Sequence, residues 1–248
     1  MPTVPVRLTK DPIIEAVFEY RFRGAVPAVA DVLQGAIYPK LGPRFPRVQR
    51  TPLATVPVGL LEQDPNLRYQ PRLSLQGDQL NVFIGDRAFA IACPRPYIGW
   101  SDFRPLILEL MGLVRGAKVV AETERFSLRY VNLLTGATPA EQFSLVHYNA
   151  TLGRGGYKLN NFLTYTRTEF QKDGLINIVE LGANSVAKTT KGESLTGLIV
   201  TVDTINLNPA DFLDNPKPYV DKAHDIEKSV FFDVLTEEAV NKMGPVWE

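Results

Sequence analysis

The run at residues 124–134, ERFSLRYVNLL, restricts the fold more than any other stretch of the chain. It alternates with period two. Phe126, Leu128, Tyr130 and Leu134 fall on one side; Arg125, Ser127, Arg129, Val131 and Leu133 fall on the other. That period belongs to a β-strand, whose successive side chains point to opposite faces of a sheet. A strand this apolar has to be covered, and its two arginines then need counter-charges, because an unpaired buried charge is costly. The chain must therefore provide a sheet, a covering layer and carboxylates on an adjoining strand.

Residues 13–22, IIEAVFEYRF, are the other strand-like run with comparable charged alternation. Ile14, Ala16, Phe18, Tyr20 and Phe22 make an apolar face, with Glu15, Glu19 and Arg21 opposite. If the two strands are neighbours, Glu15 and Glu19 are the expected cross-strand ion-pair partners of Arg125 and Arg129. The alternative reading of the arginines is recognition of an anionic ligand, with Tyr130, Asn132 and His224 completing the group.

The remaining pattern predicts which elements surround this pair. A helix is expected over 29–37, following Pro27 and stopped by Pro39. A proline-rich connection follows, with one edge strand near 48–53. Residues 72–76 and 80–84 read as a hairpin and 87–93 as a third strand. Ser101 is the expected N-cap of a helix carrying Phe103, Leu106, Ile107, Leu110, Met111 and Val114 on one face. In the second half, 143–149, 161–172, 175–181 and 195–207 read as strands, with Asp173-Gly174 as a turn and 183–193 as a polar loop. A long helix after Pro218 and a short one capped by Thr236 end the chain. The expected fold is α+β: an antiparallel sheet of two pseudo-equivalent halves, with helices packed on one face. The boundary falls at 134/135, separating an N-terminal α+β half (1–134) from a β-rich half with the long C-terminal helix (135–248). One continuous domain is the alternative.

Composition narrows the function classes. Lys plus Arg and Asp plus Glu both number 27, so the formal charge is zero, and duplex nucleic-acid binding through phosphates is disfavoured. A single cysteine, Cys93, excludes a disulfide or a Cys-based zinc site within one chain. It lies in the apolar run AFAIAC and reads as a small buried hydrophobe. The opening MPTVPV has no apolar signal-peptide core, and no run reaches the roughly 18 apolar residues of a membrane span. A cytoplasmic protein without membrane contact is expected.

Four motifs resemble a sporadically distributed, full-length prokaryotic protein family of unknown function. They are PIIEAVFEYRF at 12–22, Trp100-x-x-Phe103, RYVN at 129–132, and HDIEKSVFF at 224–232 followed by LTEE at 235–238. The resemblance implies a prokaryotic, patchily inherited protein, and sporadic distribution suggests a mobile or defence-type gene neighbourhood. It implies no activity.

Candidate chemistry is sparse. His224 has Asp221, Asp225 and Glu227 nearby at helical spacing, too few ligands for a metal without help from elsewhere. His147 has no carboxylate close in sequence, and no nucleophile elbow occurs. The glycine-rich 153–156 lacks the spacing of a phosphate loop. Arginines and aromatics at 44–50 and 68–72 suit single-stranded nucleic acid or a partner-binding loop. No cofactor or metal is expected. The leading expectation is a non-enzymatic binding protein that engages a protein partner or itself. Its support includes Phe231-Phe232, more than one core-facing stripe readily buries. The alternative is an enzyme or binding module for an anionic ligand such as a nucleotide or single-stranded RNA.

Overall fold

The computed structural model describes residues 4–154, 156–159, 162–188 and 194–247. In chain order the elements are β1 (Arg7–Leu8), β2 (Ile13–Gly24), α1 (Val29–Leu41), β3 (Arg47–Arg50), a 3-10 turn (Pro52–Thr55), α2 (Val58–Gln63), β4 (Leu73–Gln76), β5 (Asn81–Ile84) and β6 (Ala88–Pro94). Then come α3 (Trp100–Ala117), β7 (Val120–Thr135), α4 (Pro139–Phe143), β8 (Thr151–Leu152), β9 (Tyr157–Lys158), β10 (Tyr165–Lys172), β11 (Leu175–Lys188), β12 (Ser194–Leu207), α5 (Pro216–Val234), α6 (Glu237–Lys242) and β13 (Pro245–Val246). The fold is α+β, as the alternation pattern requires. Nine strands form an antiparallel sheet in the order β10-β11-β12-β7-β2-β6-β5-β4-β3, and β1-β13 and β8-β9 are separate two-stranded pairs.

The chain forms two compact units. One comprises Met1–Glu15, Arg129–Thr204 and His224–Glu248, and the other Ala16–Leu128 and Ile205–Ala223.

In the second of these units, β2 sends Ala16, Phe18, Tyr20 and Phe22 into the core, all fully buried. Phe126 stacks on Phe212 at 4.4 Å between ring centroids, and Phe18 and Tyr20 close around Phe212. The Tyr20 hydroxyl shares a 2.8 Å hydrogen bond with Thr123, and burial pushes its pKa up to about 12 against that bond. The predicted stripe of α3 is buried in full, and α3 packs against α1.

Three local expectations fail here. Helix α1 continues through Pro39 to Leu41. Pro39 has no N–H to donate, but Gly42 still donates to the Tyr38 carbonyl at 2.7 Å. Ser101 does not cap α3, which starts one residue earlier, after Gly99 at φ 87°. The segment expected to be irregular contains the 3-10 turn and α2 as well as the edge strand β3. These pieces are anchored by Asp86, a buried residue of the Gly85-Asp86 turn. One of its oxygens accepts from the Ala30 amide in the first turn of α1, at 3.0 Å, and the other from Arg72, at 2.9 Å. Arg72 in turn donates to the carbonyls of Ala54 and Val56. A remote carboxylate thus supplies the cap that Ala28 cannot.

In the other unit, β10 and β11 are joined by Asp173-Gly174, with φ of 51° and 79°. Positive φ at both central residues is the hairpin turn whose twist matches that of the strands. β11 buries Leu175, Asn177, Val179 and Leu181, and β12 buries Leu198, Val200 and Val202. Gly197 of β12 lies so close to the Leu134 carbonyl that no Cβ fits. The strand expected at 143–149 does not form: Phe143 ends α4, which Thr138 caps by accepting the Glu141 amide at 3.2 Å with Pro139 in the first turn, and residues 144–149 are irregular. Only Val146 keeps a bridge, to Leu235. The loop expected from 183 is largely strand. β11 runs on to Lys188, held at the left-handed Asn184 by the buried Gln142, which bonds both the Asn184 amide and its side chain. Residues 189–193 of that loop, and residue 161 of the strand expected from there, lie outside the described residues. Thr236 caps α6 as expected, accepting from Ala239 at 3.3 Å.

Candidate functional site

The charged faces of β2 and β7 form a closed network. Arg125 donates to Glu19 Oε1 at 2.7 Å, and Arg21 donates to both Glu19 oxygens at 2.7 and 3.3 Å. Arg21 lies over the Tyr69 ring at 4.3 Å. The Tyr69 hydroxyl donates to Glu124 at 2.8 Å, and Glu124 pairs with Arg87, which also meets Glu62. Burial pushes the Glu19 carboxyl up, but the Arg21 charge and the hydrogen bonds from Arg125 and Arg21 outweigh it and hold the pKa below the ordinary 4.5. Each charge here is answered by another side chain, which suits a structural role.

Glu15 and Arg129, the other half of the expected ladder, form no ion pair among the described residues. Arg129 is exposed. Glu19 accepts from three guanidinium N–H groups, of Arg21 and Arg125. The corrected ladder is Glu19 with Arg125 and Arg21.

Of the remaining sequence-predicted residues, the structure brings Tyr130 and His224 together, with ring centroids 6.1 Å apart. Asn132 is buried and donates to the Val200 carbonyl at 3.2 Å, so its amide serves the sheet. Asp221 is held by Lys217 at 2.8 Å and Arg104 at 3.3 Å. Glu227 is buried, and burial pushes its carboxyl well above 4.5. Among the described residues no group of three or more His, Cys, Asp or Glu side chains is placed to hold a metal ion. Cys93 is buried. Within the basic and aromatic stretches, Arg44 pairs with Glu109 and Arg68 donates to the Glu62 carbonyl. No helix among the described residues is long and apolar enough to cross a membrane.

The surface that stands out was not singled out by the sequence. β10 is an edge strand, and six of its eight residues are exposed. Its hydrogen-bonding groups divide by parity. The Ala183 amide donates to the Thr164 carbonyl at 3.0 Å, and the two-residue turn closes on the Lys172–Leu175 pair. Even-numbered residues therefore face β11, while the N–H and C=O groups of Tyr165, Arg167, Glu169 and Gln171 face outward. Tyr165 of this strand is 65% exposed, and Leu163 and Phe162, which lead into it, are 72% and 50% exposed. A cleft of about 350 Å³ lies beside the strand's C-terminal end, lined by Phe170, Lys172, Val230, Val234 and His147. Lys172 spans it, bonded to Asp233 and Ser229.

The opposite edge of the sheet shows the contrast. β3 has four residues, two of them arginines, and sits between Pro46 and Pro52. Short length, charge and proline are the usual ways of blunting an edge. β10 is twice as long, contains no proline, and its Arg167 and Glu169 cancel each other. A signal was present in the sequence: an eight-residue polar-aromatic strand with no breaker. Only the sheet order shows that it is an edge.

No protein-family model matches the chain, and no curated protein matches it either.

Proposed function

We propose that this chain is a non-enzymatic interaction protein whose docking element is the free edge of β10. The observation that carries the reading is the row of outward backbone groups on Tyr165, Arg167, Glu169 and Gln171, flanked by exposed aromatic and aliphatic side chains. Such an edge accepts an added strand, with main-chain hydrogen bonds giving affinity and side-chain contacts giving selectivity. The resemblance to a sporadically distributed prokaryotic family supports an accessory or regulatory role in a cytoplasmic, mobile or defence-type system. The anionic-ligand alternative drew on paired arginines. With Arg125 engaged by Glu19, only Arg129 is left to it.

Glu169→Pro tests the docking reading. It deletes an outward N–H and leaves the β10–β11 ladder intact. Immobilised wild-type protein is expected to retain a strand-donating protein partner, either a further copy of the chain or another protein of the cell extract. The variant should lose it with an unchanged far-UV spectrum. Equal retention by both proteins would refute strand docking.

A further inference from the structure

We infer that the strand docking on β10 is β10 of a second copy of this chain, paired antiparallel about a two-fold axis at Thr168. The inference rests on the docking reading above and adds the partner's identity and register.

The argument starts from parity. In a two-fold antiparallel pair, outward-facing residues must meet outward-facing residues, so positions i and j pair with an even sum. An axis at Thr168 places Arg167 opposite Glu169 of the second copy, and Glu169 opposite its Arg167. Two opposite-charge pairs then occupy adjacent hydrogen-bonded positions. Moving the axis by one residue sets Arg167 against itself or Glu169 against itself, and like charges directly opposite destabilise a pair. Moving it by two, to Thr166 or Phe170, shortens the paired stretch to three or five residues and removes both Arg167–Glu169 pairs. The Thr168 axis also pairs the strand from Tyr165 to Gln171, nearly its whole length. Thr168 meets Thr168 at the axis, and Thr166 meets Phe170; hydroxyl and β-branched–aromatic pairs of these kinds are favourable.

The flanking apolar groups fit the same operation. In this register Thr164 of the second copy lies opposite Lys172, so its Leu163 and Phe162 arrive at the end of β10 that borders the cleft beside Phe170, Val230 and Val234. Both are exposed in the single chain. The symmetry repeats the contact on the other side, as an isologous interface requires. The Arg167–Glu169 contact within one strand, at 3.2 Å between half-exposed side chains, is replaced by equivalent contacts across the axis.

Light scattering and a register-specific cross-link test this on the purified full chain. The wild type is expected to pass from monomer to dimer as concentration rises. Thr168→Cys should give a covalent dimer under a mild thiol oxidant, because non-hydrogen-bonded partners bring Cα atoms within disulfide reach. Phe170→Cys, four residues out of register with itself, should not, and the buried Cys93 is common to both. Thr168→Lys, which sets two ammonium groups at the axis, should leave a monomer with an unchanged far-UV spectrum. A dimer that ignores Thr168→Lys and does not cross-link at position 168 would overturn the inference. A wild type that stays monomeric, while Glu169→Pro still abolishes retention of a different protein, would overturn self-pairing and leave strand docking standing. Absence of both dimer and retained partner would overturn both.

Discussion

Replacing Glu19 by glutamine tests the charge network where its geometry is best defined. The change keeps shape and removes charge. In the native chain Glu19 accepts from Arg125 at 2.7 Å and from Arg21 at 2.7 and 3.3 Å, and the Glu19 and Arg125 side chains are only 23% and 21% exposed. A hydrogen bond to a charged partner contributes about 1.5–3 kcal/mol net. Partial solvent screening argues for the lower end, and the two guanidinium groups left behind then lack a counter-charge. The expected loss is about 2–3 kcal/mol, with Arg21 partly retained by its contact over Tyr69. Glu19→Gln and Arg125→Met should be coupled by roughly 1–2 kcal/mol in a double-mutant cycle. The pH dependence has a definite sign. The folded-state pKa lies below the ordinary 4.5, so Glu19's contribution is complete above the unfolded value and is lost as pH falls through the folded one. The difference between wild type and Glu19→Gln should accordingly shrink as the buffer is taken below pH 4.5. Urea unfolding followed by far-UV circular dichroism measures both effects. A stability within about 0.5 kcal/mol of wild type at neutral pH, the range of an ordinary surface change, would refute the reasoning. So would additive single mutants.

Two further substitutions probe the other unit, and a third, in the unit of Glu19, serves as a control. Glu227→Gln should raise the thermal midpoint at neutral pH and change nothing in acid: burial holds the Glu227 pKa above 4.5, so its stabilising contribution is intact below that value and drains away as pH climbs to the folded-state pKa. A pH-independent effect in calorimetry would contradict this. Gly197→Ala should destabilise by at least about 1–3 kcal/mol, as overpacking does, because its Cβ would press on the Leu134 carbonyl. Gly112→Ala, on a helical surface with open space around it, should instead stabilise by about 0.5–1 kcal/mol. Equal unfolding midpoints for the two variants would remove the backbone contact as an explanation.

The sequence by itself determined the elements whose local chemistry and tertiary role agree. The α3 stripe, the Asp173-Gly174 hairpin, the Thr236 cap and the alternation of β2 and β7 needed nothing beyond spacing and turn chemistry. Each is specified by residues close together in the chain. The class of fold followed, since strands this apolar require a sheet and a cover. Tertiary structure decided the rest, because the deciding partner is distant in sequence. Asp86 caps α1 from 56 residues away, Gln142 holds Asn184 of β11 from 42 residues away, and Tyr69 links the Glu19 and Glu124 ends of the charge network. Of the five residues first considered for ligand contact, Arg125 and Asn132 are turned to structural work by such partners. The docking edge was hidden for the same reason. Period-two alternation gives the faces of β10 but not its neighbours. Whether an eight-residue strand without a breaker is central or terminal depends on the order in which strands pair, and that order is a property of the whole sheet.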